Sequence, residues 1–248
     1  MSLLLIDIGN TRVKWAELKS DRLRPQRAMP HAGWGIKDFE QNVFKAAHKI
    51  ERVIVVSVAS QNLEHALSTA ALRCCRVGAE FVKTERNAGG VTTRYEEPWR
   101  LGVDRFVACI GAHHLIPRQP VCVVDIGTAM TIDLVDADGV HRGGAIIPGP
   151  DLMIGSLLKD TVGIQRRASG AAPGKAIFAR NTRAAIEQGA RYAVAAAIDR
   201  AAQEARKVLK KQPVLILTGG AATRVRSLVS MPHRLVPDLV LRGLAAMT

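Results

Sequence analysis

Twice in this chain an apolar run ends in Asp-Ile-Gly with a threonine close behind. Leu3-Leu4-Leu5-Ile6 leads into Asp7-Ile8-Gly9-Asn10-Thr11, and Val121-Cys122-Val123-Val124 leads into Asp125-Ile126-Gly127-Thr128. A β-hairpin that opens with Asp and turns on Gly offers a carboxylate to a divalent ion or its waters. It also offers free backbone N–H groups and a Thr or Asn donor for phosphate oxygens. One copy alone reads as an ordinary turn, since Asp and Gly are common turn residues. Two copies behind matched strands imply two related halves facing one cleft, with chemistry suited to a nucleoside triphosphate.

A chain of 248 residues has room for two modest domains with real cores. Pro117 and Pro120 stop a helix just before the second copy begins, so the expected domains are residues 1–117 and 118–248. Asp7 and Asn10 interrupt the first apolar run too early for a signal-peptide core, and no stretch approaches a membrane span, so the expected location is the cytoplasm. Cys74, Cys75, Cys109 and Cys122 lack metal-site spacing and read as reduced, mostly buried residues. His113 and His114 are adjacent on a helix and lack the spacing of a metal pair; His141 reads as structural or exposed.

The formal charge of +13 fits either nucleic acid or anionic small substrates. The basic residues are dispersed, aromatic residues make up only 4% of the chain, and no reader motif is visible. Nucleic-acid binding is therefore expected to be at most non-specific. A basic, nucleic-acid-associated regulatory protein is the alternative to an enzyme.

Along the chain the pattern predicts a strand–turn–strand from Leu3 to Leu18 and a strand at Arg52–Ser57. A helix from Asn62 to Cys75, with Asn62 as cap, and a turn-rich loop from Asn87 to Pro98 follow. A helix is expected from Gly102 to Leu115, and a functional loop or tight crossover from Gly143 to Pro150. A long alanine-rich helix from Thr182 to Lys211 has a small-residue face that can serve a subunit interface, and a strand at Pro213–Thr218 ends on Gly219-Gly220 before another helix. Strands alternating with helices predict an α/β fold.

The sequences from Asp7 to Lys14, from Tyr95 to Arg105 and from Asp125 to Thr128 together resemble type III pantothenate kinase. So do Gly143 to Gly149, Asn181-Thr182 and Thr218-Gly219-Gly220. The resemblance runs over nearly the whole chain. It implies the actin-like ATPase fold, two ribonuclease-H-like domains flanking an ATP cleft, and phosphorylation of the primary hydroxyl of pantothenate on the way to coenzyme A. It also implies a homodimer, Mg2+ with ATP, and K+ or NH4+ as activator.

By the same resemblance Asp104 matches the catalytic base, while Tyr95, Gly102, Val103, Arg105 and Thr182 match the substrate pocket, Thr182 from the partner subunit. Asp7, Ile8, Gly9, Asn10, Thr11, Arg12, Val13, Lys14 and Thr128 match the ATP contacts, and Asp125 the monovalent-cation ligand. Asp7 would orient Mg2+ through water. Plainer roles stand beside these. An acid at position 104 stabilises the first turn of a helix in any case, Thr182 suits a helix cap, Tyr95 can pack under its loop, and Lys14 can be a solvated strand residue.

Overall fold

The computed structural model describes residues 2–45, 49–171, 174 and 176–248. The chain packs as two units, Met1–Pro117 with Gly139–His141 and Asp238–Thr248, and Arg118–Asp138 with Arg142–Pro237.

The first unit begins with β1 (Ser2–Ile8) and β2 (Arg12–Lys19), followed by β3 (Arg22–Leu23), β4 (Arg27–Pro30) and a short α1 (Ile36–Phe39). Then come β5 (Arg52–Ser57), α2 (Gln61–Cys75), β6 (Ala79–Phe81), β7 (Asn87–Ala88), β8 (Val91–Thr93) and α3 (Val103–Leu115). The main sheet has the order β3-β2-β1-β5-β6, with β4 also on β2. β1 is buried at every position and central, antiparallel to β2 and parallel to β5. That explains its unbroken apolar run, because a strand covered on both faces has no solvent side to keep polar. Ile6, Ile8, Val13 and Val55 pack with Phe39, Leu67 and Ala70 into one core. Each large side chain buried there contributes about 1.5–3 kcal/mol.

The helix expected at Asn62–Cys75 starts one residue earlier, with Ser60 in the cap position and Asn62 inside the first turn. The loop expected at Asn87–Pro98 contains the small β7–β8 hairpin, whose Thr92 and Thr93 pair in parallel with Val140 and His141.

In the second unit, β9 (Val121–Ile126) and β10 (Ala129–Val135) form the second Asp-Ile-Gly hairpin, and β11 (Val140–Pro148) belongs to this unit from Arg142 onward. Of the stretch expected as a functional loop or tight crossover at Gly143–Pro150, residues 143–148 are thus strand; the β10 edge satisfies backbone groups that a Gly-rich sequence alone leaves open. α4 (Pro150–Asp160), α5 (Val162–Ala168), α6 (Thr182–Leu209), β12 (Val214–Thr218), α7 (Ala222–Val225) and β13 (His233–Leu235) complete the unit. β12 runs parallel to β9 and to β13, giving the order β13-β12-β9-β10-β11. Val194 and Ile198 of α6 bury against Val124, Ile126, Met130 and Leu217. Among the described residues no helix is long and apolar enough to cross a membrane.

The chain ends in α8 (Leu239–Ala246), which belongs to the first unit although the expected division put it in the second half. The reason is a glycine pair. Gly111 of α3 and Gly243 of α8 let the two backbones touch: a Cβ on Gly243 would lie 1.9 Å from the Val107 carbonyl oxygen, and one on Gly111 would lie 2.4 Å from that of Leu239.

Candidate active site

β1 delivers Asp7 to its C-terminal end, where the residue is 4% exposed. A carboxylate taken out of water needs a counter-charge, and the hairpin provides it. Lys14 pairs with Asp7 in the β1–β2 register, its Nζ 3.1 Å from Asp7 Oδ2. Gly9 N–H closes the turn on the Arg12 carbonyl at 3.0 Å. Asn10, Thr11 and Arg12 are exposed, and Arg12 donates to the Ala28 carbonyl at 3.2 Å. Ile8 and Val13 have 0% exposure and face the core, so only their backbones are available to a ligand. A hollow of about 870 Å3 lies beside Asn10, lined also by His31, Trp34 and Asn62.

The N-terminus of α3 gathers a second set of groups. Arg105 N–H donates to Asp104 Oδ1 at 2.8 Å, which fixes that carboxylate over the first turn. Gly102 leaves room for it, since a Cβ there would lie 2.8 Å from the same oxygen. Arg105, 7% exposed as a residue, donates from Nη1 to Tyr95 Oη at 3.4 Å. Tyr95 rests on the buried His141 ring, centroids 5.8 Å apart. Four of the expected pocket residues, Tyr95, Gly102, Asp104 and Arg105, therefore stand together, with Val103 half-buried among them. Arg86 escaped the sequence reading. Its guanidinium donates to the carbonyls of Thr93, Tyr95 and Glu96 at 3.2, 2.6 and 2.8 Å and so holds the loop that carries Tyr95. A lone Arg in a turn-rich stretch gives no local signal of such a clamp.

In the second unit Asp125 is the penultimate residue of β9, in register with Thr131 on β10 and Thr218 on β12. Paired residues on neighbouring strands project to the same face. Thr218 is 1% exposed, and its hydroxyl has no hydrogen-bond partner among the described residues. The next residue, Gly219, adopts φ +93°, and a Cβ there would lie 2.3 Å from Asp125 Oδ1. Only glycine meets both demands. Thr128 is exposed on its turn and its carbonyl accepts from Gly149 N–H at 2.9 Å.

Thr182 opens α6 but is not the cap. Asn181 takes that role, its Oδ1 accepting from Ala184 N–H at 2.8 Å. Thr182 instead lines an apolar cavity of about 940 Å3 with Leu152, Met153, Leu157 and Ile186. Of the four cysteines, Cys109 and Cys122 are buried, Cys75 is half-buried and Cys74 is exposed, against the expectation that most are interior. Burial pushes the Cys122 thiol up to about 12.

Residues 3–204 match the family model described as type III pantothenate kinase. A type III pantothenate kinase of Nitrosococcus oceani is 34% identical over 98% of this chain and 92% of its own length. One from Herminiimonas arsenicoxydans is 38% identical over 98% and 95%. Among solved structures, a Baf family transcriptional activator from Campylobacter jejuni superimposes with a TM-score of 0.59 at 23% identity, covering 98% of this chain and 96% of that one. An ADPNP-bound activator of 2-hydroxyisocaproyl-CoA dehydratase from Clostridium difficile gives 0.52 at 13% identity, covering 100% and 92%. At these identities the two structures speak for the fold alone, the α/β fold of actin-like ATPases. The full-length kinase relatives and the family model carry more: the chain belongs to the type III pantothenate kinase family.

Proposed function

We propose that this chain transfers the γ-phosphoryl group of ATP to the primary hydroxyl of pantothenate, the first step toward coenzyme A. The observation that carries the reading is the cluster at the start of α3, where Asp104, held by the Arg105 amide, stands beside a buried Arg105 that reaches Tyr95. Asp104 accepts the hydroxyl proton and aims the oxygen for in-line attack. Arg105 holds a polar or anionic part of pantothenate, its carboxylate foremost, in the geometry that a guanidinium favours. Tyr95, Gly102 and Val103 shape the pocket. Positioning and charge neutralisation do most of the work, since phosphoryl transfer needs little covalent help from the protein.

On the nucleotide side, the β1–β2 turn offers Asn10, Thr11 and backbone amides to phosphate oxygens, and Lys14 its charge. Thr128 is the contact from the second hairpin. An ATP-dependent kinase of this fold works with a divalent cation on its nucleotide. We assign it as Mg2+, with Asp7 oriented toward the ion's waters. One carboxylate per site suits Mg2+, which keeps most of its water. The monovalent activator, K+ or NH4+, is assigned to Asp125. The buried hydroxyl of Thr218 on the next strand, without a partner among the described residues, supports this, because a hard oxygen pair suits such an ion.

The proposed active form is a homodimer in which Thr182 completes the partner's pocket, in the cytoplasm. The apolar surface near Thr182 supports the pairing, with Leu152 and Leu157 of the same cavity exposed at 47% and 41%. The regulatory alternative is not favoured, and the likeness to a transcriptional activator is one of fold. A coupled assay of ADP release with and without pantothenate tests the reading; release that ignores pantothenate would overturn it.

A further inference from the structure

His31, which lines the hollow beside Asn10, also reaches the phosphate turn with its ring. Its Nε2 stands 2.7 Å from the Gly9 carbonyl oxygen. A carbonyl can only accept, so Nε2 carries the hydrogen and donates. Two backbone hydrogen bonds of His31 and a Trp34–Phe39 contact hold the segment that carries the imidazole. His31 N–H donates to the Thr11 carbonyl at 3.2 Å, extending the β2–β4 ladder by one rung from the Arg12–Pro30 pair. The His31 carbonyl accepts from Trp34 N–H at 3.0 Å. Trp34 in turn meets Phe39 edge-on at 5.2 Å, and Phe39 is at 0% exposure in the core. His31 itself is 9% exposed.

The consequence follows from peptide geometry. Gly9 carbonyl and Asn10 N–H belong to one planar trans peptide and point in opposite directions. Pinning the carbonyl toward His31 therefore turns the Asn10 amide away from it. Asn10 is exposed, and among the described residues none accepts from its amide. A turn left to itself can rotate this peptide and lose the donor; with the carbonyl tied, the donor is ready before a ligand arrives.

We propose that His31 is a positioning residue for nucleotide binding: by holding the Gly9 carbonyl, it aims the Asn10 backbone N–H at a phosphate oxygen of the nucleotide. The inference rests on the reading of the β1–β2 turn as a phosphate holder. Neither the Asn10 side chain nor a charge on the imidazole is needed for this.

The test compares two polar replacements in the whole protein. His31→Gln places its amide nitrogen near the reach of Nε2, whereas the amide of His31→Asn ends near the position of Nδ1 and falls short. Calorimetric titration with MgADP should show His31→Asn binding about 5- to 10-fold more weakly, the scale of one hydrogen bond, and His31→Gln within about 2-fold of the parent. The KM for ATP should follow the same order, while the KM for pantothenate stays within about 2-fold. If the Asn chain melts below the assay temperature, His31→Phe, which keeps a ring but has no donor, takes its place.

Parent-like MgADP affinity in the Asn or Phe chain overturns the proposal, as does equal weakening in the Gln and Asn chains. A Thr11→Ala chain, run beside them, separates the two levels of the argument. If Thr11→Ala weakens MgADP and the His31 changes do not, His31 loses its role and the turn keeps its own. If neither changes affinity, the phosphate-holding turn falls and His31 with it.

Discussion

Asp7 and Lys14 face each other across the first hairpin, Lys14 Nζ 3.1 Å from Asp7 Oδ2, with side-chain exposures of 6% for the Asp and 17% for the Lys. A residue that by sequence could have been a solvated strand lysine is thus the counter-charge of a buried carboxylate. Replacing Lys14 with Met keeps the length of the side chain and strands the charge. The expected loss of stability is about 2–4 kcal/mol, read from urea denaturation. Adding Asp7→Asn should recover a good part of it. Losses that simply add in the double variant would mean the two groups are energetically independent.

Asp104→Asn keeps the size of the side chain and an oxygen that can accept from the Arg105 amide, as Asp104 Oδ1 does at 2.8 Å. The helix start should survive and the melting temperature should change little. Turnover should fall about 100-fold or more, because the proton acceptor is gone. A folded variant with near-parental turnover would remove Asp104 from the chemistry.

For the monovalent cation, activity in sodium-only buffer should be poor and rise on adding potassium or ammonium, and Asp125→Ala should lose that response. Thr218→Val tests the second oxygen. It removes a buried hydroxyl without a partner among the described residues and keeps the shape, so stability should hold while the potassium response weakens. Equal rates in sodium and potassium would dismiss the ion but leave the kinase.

If Thr182 serves the partner's pocket, mixing Asp104→Asn chains with Thr182→Ala chains should restore activity. A mixed dimer has one site with both Asp104 and Thr182 intact. No recovery, with subunit exchange demonstrated by mass spectrometry, would assign Thr182 to its own chain's site or to none.

Gly243→Ala drives a methyl group against the Val107 carbonyl, where a Cβ would lie 1.9 Å from the oxygen. Backbone cannot yield as a flexible side chain does, so α8 must shift off α3 at a cost of about 2 kcal/mol or more. Gly155→Ala in α4 meets nothing within 4 Å and should be neutral or raise stability by up to about 1 kcal/mol. Equal melting temperatures for the two variants would refute the close packing of α3 and α8.

The two hairpins were legible from residues alone because a turn is made within a few positions: Asp7 to Lys14 contains both strands' facing ends, the glycine and the donors. The apolar run of β1 likewise announced a strand, and the helical spacing expected at 102–115 and 182–211 announced the helices found at Val103–Leu115 and Thr182–Leu209. Where two local solutions competed, tertiary partners chose. Gly143 to Ile147 became strand because β10 offered an edge, and the cap of α6 fell to Asn181 rather than Thr182 because its oxygen could reach the Ala184 amide. The supports of the site came from far along the chain. His31 ties a carbonyl at position 9, Arg86 clamps a loop ending at Glu96, Gly219 makes room for Asp125, and α8 returns to α3 from the far end of the sequence. Sequence determined which chemical groups each turn presents, because that depends on neighbours along the backbone. Only the tertiary structure decided what holds those groups still, because a hydrogen bond or close approach between distant segments leaves no periodic trace in either one.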